Sequence, residues 1–306
     1  MALTIVDALA PLVSDARGLV ELRRSLWTAY PAADSPAMAE RVDEAKLADT
    51  WHDLPVTAAQ NYIAMLVLVA EDHLECMCRL LDRPGWVPVW GLAPCARALL
   101  EAAGRAVDIG EVGIGARSRV ERYMNERLFA LDQMSNLPAG AKDAEGVTTQ
   151  RKEIIDSGLR KRFTRRPHPS AAKAAAGSFA VPPQFGTGRP GDMAVVRRLF
   201  EATPELGKGS FQWFSAATHS TAWEVEKPFK AISTNNLGQT EVQLGREPGQ
   251  VHQFLHTAIL GYIEMATRFL LLWGVSDEAW LSLDCSSGRL TADPGGTLTS
   301  PGGHGG

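Results

Sequence analysis

Cysteine is scarce in this chain: Cys76, Cys78, Cys95 and Cys285 are the only four among 306 residues. Four irregularly spaced thiols are too few for a disulfide framework, and no pair has the two-residue spacer of a zinc site. On one helix Cys76 and Cys78 would stand about 200° apart, which argues against a shared metal. A reducing compartment is the expectation. Charge of one sign is lacking too. The 31 Lys and Arg face 35 Asp and Glu, for a net of −4, so no global basic field exists to capture nucleic acid nonspecifically. Long apolar runs are missing. The stretch YIAMLVLVA (62–70) is about half the length needed to cross a bilayer, and HTAILGYIEMATRFLLLWG (256–274) is interrupted by Glu264 and Arg268. Both read as buried helices rather than membrane spans. The opening MALTIVDALAPLV lacks the basic segment of a signal peptide and already carries Asp7, so the predicted location is cytoplasmic.

Several catalytic signatures are absent as well. No serine sits in Gly-x-Ser-x-Gly, which removes the hydrolase elbow. GEVGIG (110–115) follows a helical pattern instead of a strand, so it is not a dinucleotide-binding turn, and no phosphate loop occurs elsewhere. AEDHLE (70–75) is the nearest approach to an aspartate-rich diphosphate–metal motif and matches it poorly. Glu71, His73 and Glu75 offer Glu-x-His, where di-metal helical bundles use Glu-x-x-His from two helices. His252 and His256 in HQFLH lie one helical turn apart but lack the glutamate of His-Glu-x-x-His. No metal and no cofactor is assigned.

What is present is a substantial apolar fraction, 45%, distributed with helical spacing. SPAMAERVDEAKLADTW places Ser35 as an N-cap before Pro36 at the first helical position. From Thr57 to Asp82, Ile63, Leu66, Ala70, Leu74, Met77 and Leu81 recur on one face and the pattern stops at Arg83-Pro84-Gly85. Further helices are predicted over about 92–109, 117–136, 147–163 and 249–274, with shorter ones after Gly191 and Ser210. The glycines of GEVGIG separate the second pair, which are expected to lie antiparallel. Residues 164–191 turn rich in Pro, Gly, Ala and Ser and read as a long loop with a brief helical turn at 170–176. FKAISTNNLGQTEVQL (229–244) has two alternating runs about Asn235–Gly238, a small inserted β-hairpin. The expected fold is all-α: a single helical bundle over 1–285 and a disordered tail over 286–306, where apolar residues run out.

Three groups of residues invite chemistry. Arg97, Glu101, Arg105 and Asp108 fall at spacings of four, four and three, the geometry of a salt-bridged stripe along one helix face. Buried against another helix, Arg97 would hold a phosphate or carboxylate and Glu101 would orient it. His219 in SFQWFSAATHSTAWEVE is a lone histidine among aromatic and small residues, either a satisfied interior ring or a proton-transfer group near neutral pH, with Ser215 and Thr218 as hydroxyl neighbours. Five basic residues between Arg160 and Arg166 are either a solvated face or a contact for an anion or RNA.

The order of ARALLE (Arg97, Glu101), RSRVERYMNERL (Arg117, Arg119, Arg122, Arg127), the Pro-rich loop and SAATH (Ser215, His219) resembles an uncharacterised, all-helical group of actinomycete-type bacterial proteins over roughly residues 60–275. That group is distantly similar to HEPN-type helical domains, some of which are metal-independent ribonucleases using an arginine and a histidine. The chain departs from their Arg-x(4–6)-His motif: its nearest copies, RFTRRPH (162–168) and REPGQVH (246–252), are broken by proline. The resemblance implies a protein that binds or cleaves RNA, or acts on a phosphorylated ligand, through Arg97, Glu101 and His219. Two other readings stay open: a small-molecule enzyme, isoprenoid-cyclase-like, with an aromatic cavity in its bundle, and a noncatalytic dimerising or partner-binding module.

Overall fold

A computed structural model of the chain describes residues 5–275 apart from 28–29, 48–49, 83–90, 138–143, 219–228, 235–239 and 245–247. Ten helices are present among the described residues: α1 (Ile5–Leu26), α2 (Pro36–Lys46), α3 (Pro55–Leu81), α4 (Leu92–Gly110), α5 (Gly115–Ser135), α6 (Ala144–Arg160), α7 (Ala171–Ala175), α8 (Asp192–Leu199), α9 (Pro204–Thr218) and α10 (Pro248–Trp273). The all-α class is what the periodicity predicts. The expected hairpin turn at 235–238 lies outside the described residues. The expected tail at 286–306 lies outside the described residues.

Helix α4 is the axis of the bundle. It touches α3, α10, α8, α9 and α5, and from Ala102 to Gly110 every residue is buried. A helix covered on all sides needs small residues wherever a neighbour comes close. Here they are Ala93, Ala96, Ala103 and Gly104, all fully or nearly fully buried. A Cβ at Gly104 would stand 2.9 Å from the Val195 carbonyl carbon of α8, and one at Gly261 of α10 would stand 2.4 Å from a Leu100 methyl. The two glycines permit this approach of helix to helix. Around them Leu99, Leu100, Ile63, Leu74, Phe214, Phe254 and Tyr262 form one continuous core.

Local signals set several boundaries. Ser35 is the N-cap of α2: its hydroxyl accepts from the Met38 amide at 3.1 Å and Pro36 follows. Helix α1 accommodates Pro11, a residue that interrupts the helical reading of the N-terminus. It is tied to the bundle by Arg23, whose Nε donates to Glu71 at 2.5 Å while the Tyr262 hydroxyl donates to the same carboxylate at 2.8 Å. All three side chains are buried. Burial and the adjacent Glu71 push the Tyr262 phenol well above its usual range.

The Pro-rich loop is an anchored excursion. It carries the helical turn α7 at Ala171–Ala175 and closes on itself through antiparallel bridges at Arg165–Phe185 and Pro167–Phe179. The Asn125 side chain of α5 grips the backbone of Phe185, accepting from its amide at 2.7 Å and donating to its carbonyl at 3.1 Å. Phe185 thereby enters a second apolar cluster with Trp51, Val56, Val120, Met124, Leu128 and Phe163.

Candidate functional site

The α4 stripe divides in two. Arg97 Nε donates to Glu101 at 2.8 Å, both side chains being partly exposed, and the Arg97 guanidinium lies over the Phe211 ring of α9 at 5.5 Å. Arg105 and Asp108 do not pair along the stripe but with neighbouring helices. Arg105 is buried against Glu126 of α5 and pairs with Asp192 of α8. Asp108 is buried and pairs with Arg198 of α8 and, at 3.6 Å, Arg122 of α5. These two residues fasten α4 to its neighbours. Spacing alone predicts a stripe; which part of it is covered depends on helices far along the chain.

His219 lies outside the described residues, immediately after α9. The structure therefore brings Arg97 and Glu101 together. On α9, the Thr218 hydroxyl donates into its own helix, to the Phe214 carbonyl at 2.7 Å. Trp213 and Phe214 pack on Phe254 of α10 with ring centroids 4.2 and 5.1 Å apart, so these rings fill space.

The arginines of RSRVERYMNERL serve different ends. Arg119 is fully buried and pairs with Glu40 of α2, while its Nη2 also reaches the Glu111 carbonyl at 3.1 Å. Arg122 pairs with Glu111 at 2.7 Å. Arg127 donates to the Tyr123 hydroxyl at 3.1 Å. Arg117 alone of the four lines a cleft between the end of α2, the start of α5 and the end of α6. This cleft has a volume of about 740 Å³, and its lining includes Asp43, Lys46, Trp51, Ile114, Arg117, Arg160, Lys161 and Arg162.

The local sequence explains how the cleft forms. Gly113 and Gly115 adopt φ values of +86° and +77°, with right-handed Ile114 between them at φ −71°, ψ −18°. Backbone of alternating hand turns successive N–H groups toward one side, an arrangement suited to anions. Helix α5 then starts with no side-chain cap, leaving its first amides and the positive end of its dipole available. Across the cleft α6 ends in two reversed hydrogen bonds, Phe163 N–H to the Gly158 carbonyl and Arg162 N–H to the Leu159 carbonyl, both 2.9 Å. That termination requires a left-handed residue, normally glycine. Here it is Arg162, at φ +61°.

Charge in the cleft is unevenly neutralised. Lys46 donates to Asp43 at 2.8 Å. Lys161, buried, donates to Asp53 and Ser157 at 2.8 and 2.7 Å. Burial opposes ionisation of Asp53, but the hydrogen bonds from Lys161 and Ser157 outweigh it and hold its carboxyl below the usual range. Arg117 donates to the Lys161 and Arg162 carbonyls at 2.9 and 2.5 Å and lies over Phe163 at 4.4 Å, so its charge meets no carboxylate there. Arg160 and Arg162 are exposed, and among the described residues neither side chain has an ion-pair partner. A second cleft, of about 500 Å³ and lined by Arg122, Arg197, Arg198 and Arg268, differs in carrying Asp108, Glu111 and Glu201 among them. There three of the four arginines are already paired.

Sequence reasoning found two parts of the first cleft separately, the basic run from Arg160 and the helix-separating glycines of GEVGIG. Lys46, more than sixty positions away along the chain, gave no signal of belonging with them. Among the described residues no group of three or more metal-ligating side chains occurs. No protein-family model matches the chain, and neither the curated proteins nor the solved structures contain a match to it.

Proposed function

We propose that this chain binds a phosphate-bearing ligand, RNA or a phosphorylated small molecule, in the cleft between α2, α5 and α6. The observation that carries this reading is a pair of exposed arginines, Arg160 and Arg162, that have no ion-pair partner among the described residues and line one cleft with the uncapped start of α5. Two guanidinium groups and a set of free amides supply donors of fixed position to phosphate oxygens, and charge-assisted bonds of this type are roughly twice as strong as neutral ones. Arg117, held in place by two carbonyls and Phe163, adds a third positive charge. The carboxylates that would compete are occupied by Lys46 and Lys161.

The same reading keeps a HEPN-like, cytoplasmic helical protein, with its hairpin over 229–244 and trailing tail from 286. Arg97, Glu101 and His219 remain its candidate catalytic set: Arg97 to hold a phosphate, Glu101 to orient it, His219 to move the proton. The aromatic-cavity alternative draws less support, because Trp213, Phe214 and Phe254 pack on one another.

The test is binding of pyrophosphate and of a short single-stranded RNA by the full chain and by R160A/R162A. The double variant is expected to weaken binding at least tenfold, and for RNA to flatten the dependence of log K on log salt by about 1.4, or 0.7 for each lost phosphate contact. Tight pyrophosphate with weak RNA binding would select the small ligand. Unchanged affinity and salt slope in the variant would refute the cleft. Loss of any turnover in R97A and H219A, in chains that stay folded, is the expectation for the catalytic set.

A further inference from the structure

Cys76 of α3 and Cys95 of α4 meet, although they stand nineteen positions apart: the Cys95 thiol points at the Cys76 sulfur, 3.7 Å away. Cys76 is exposed and Cys95 partly covered. Cys78, two positions after Cys76, is buried on another side of α3, so only one of the two neighbouring thiols has this partner. The opposition of Cys76 and Cys78 on the helix, which argues against a common metal, is what leaves Cys76 free to face α4.

A sulfur–sulfur distance of 3.7 Å is van der Waals contact. A disulfide requires about 2.05 Å, so each sulfur has less than about 1 Å to travel, on the scale of a small χ1 adjustment. We propose that Cys76 and Cys95 form a thiol–disulfide exchange site that reversibly links α3 to α4. The co-reactant is a low-molecular-weight disulfide such as oxidised glutathione. The Cys76 thiolate, the accessible one, attacks one of its sulfurs, forming a mixed disulfide and releasing the first external thiolate. Cys95 then gives up its proton to water and attacks the Cys76 sulfur, expelling the second. Two protein thiols are oxidised and one external disulfide is reduced to two thiols, so electrons balance.

Burial, with the neighbouring Cys76 adding to it, pushes the Cys95 thiol up to about 12. The closing step consequently accelerates as pH rises toward that value, and the finished link is slow to reopen, because Cys95 is a poor leaving thiol. The link ties the first turns of α4, two residues before Arg97, to the middle of the C-terminal half of α3. It has no dependence on the phosphate cleft, and its test reads neither binding nor turnover.

The experiment equilibrates the full chain, carrying C285S to prevent shuffling, in glutathione buffers from reducing to oxidising. Thiols are then quenched by alkylation, and intact mass and non-reduced peptide maps are recorded. The expected result is an oxidised species two hydrogens lighter, with the Cys76 peptide joined to the Cys95 peptide, and a thermal midpoint about 5 °C higher. The link disappears in C76S and in C95S and persists in C78S. Circular dichroism of each reduced variant establishes that it is folded. A persistent glutathione adduct on Cys76, a dimer joined through Cys76, or a Cys76–Cys95 link that forms only in urea would each overturn the proposal.

Discussion

Replacing Arg162 by glycine separates what the residue does for the fold from what it does for the cleft. Arg162 sits at φ +61° where α6 terminates, and a side chain bearing a Cβ costs about 1–2 kcal/mol in that region. Glycine removes the cost but gains freedom in the unfolded chain, which returns about 0.4–1 kcal/mol. Both terminal hydrogen bonds, and the Arg117 contact to the Arg162 carbonyl, are made by backbone and survive. The exposed side chain forfeits little packing. R162G should therefore be more stable than the parent by about 0.5–1 kcal/mol, seen as a higher urea midpoint at unchanged slope. R162A keeps the Cβ and should gain nothing. Phosphate binding should move the other way, weakening about tenfold in both variants as one charge-assisted contact is lost. A chain that is firmer yet binds less well is the signature of strain retained for a ligand. If R162G is no more stable than R162A, the backbone argument fails; if it binds as well as the parent, the assignment of the arginine to the ligand fails.

Other perturbations follow from the packing. E71A leaves Arg23 buried without its carboxylate and Tyr262 without its acceptor, and should cost about 3–5 kcal/mol in denaturant unfolding, whereas exposed E21A, at the surface of the same helix as Arg23, should change stability by less than about 0.5 kcal/mol. G104A drives a methyl into the Val195 carbonyl, a backbone group that cannot step aside; overpacking of about 1–3 kcal/mol should outweigh the roughly 1 kcal/mol that alanine gains over glycine in a helix. Asp53 has its carboxyl held below the ordinary range when folded, so its contribution is complete above the unfolded value near 3.9 and fades as pH falls through the lower folded one. D53N should flatten the acid limb of the stability profile and lower the neutral plateau; an acid limb identical to the parent's would contradict the Lys161–Asp53 assignment.

Most of the helices were legible because their signals are local; α1, with Pro11 inside it, was not. Ser35-Pro36 marks the start of α2, and the spacing of Ile63, Ala70, Leu74, Met77 and Leu81 marks α3, whatever packs against them. The burial of Arg105 and Asp108 was not legible, because Glu126, Asp192 and Arg198 come from 21 to 90 residues away. The cleft was half legible: its charge and its glycines stand in the sequence, but their convergence is tertiary. Arg162 concealed its own backbone, since a glycine there would have announced the left-handed turn and an arginine does not. Cys76 and Cys95 were hidden for another reason: four irregularly spaced thiols form no pattern, and the approach of α3 to α4 that brings two of them together is tertiary.

The buried carboxylate of Glu71 is shared by Arg23 from α1 and Tyr262 from α10, the latter 191 positions away. Until α10 arrives, a nascent chain holding α1 against α3 has a charged pair on a wet, open face. The central helix α4 likewise lacks the wall that α10 provides. Synthesis from the N-terminus thus cannot deposit a finished half-bundle and then add to it; closure waits until the C-terminal helix has left the ribosome. Truncation before α10 should accordingly yield an aggregating fragment, not a smaller domain.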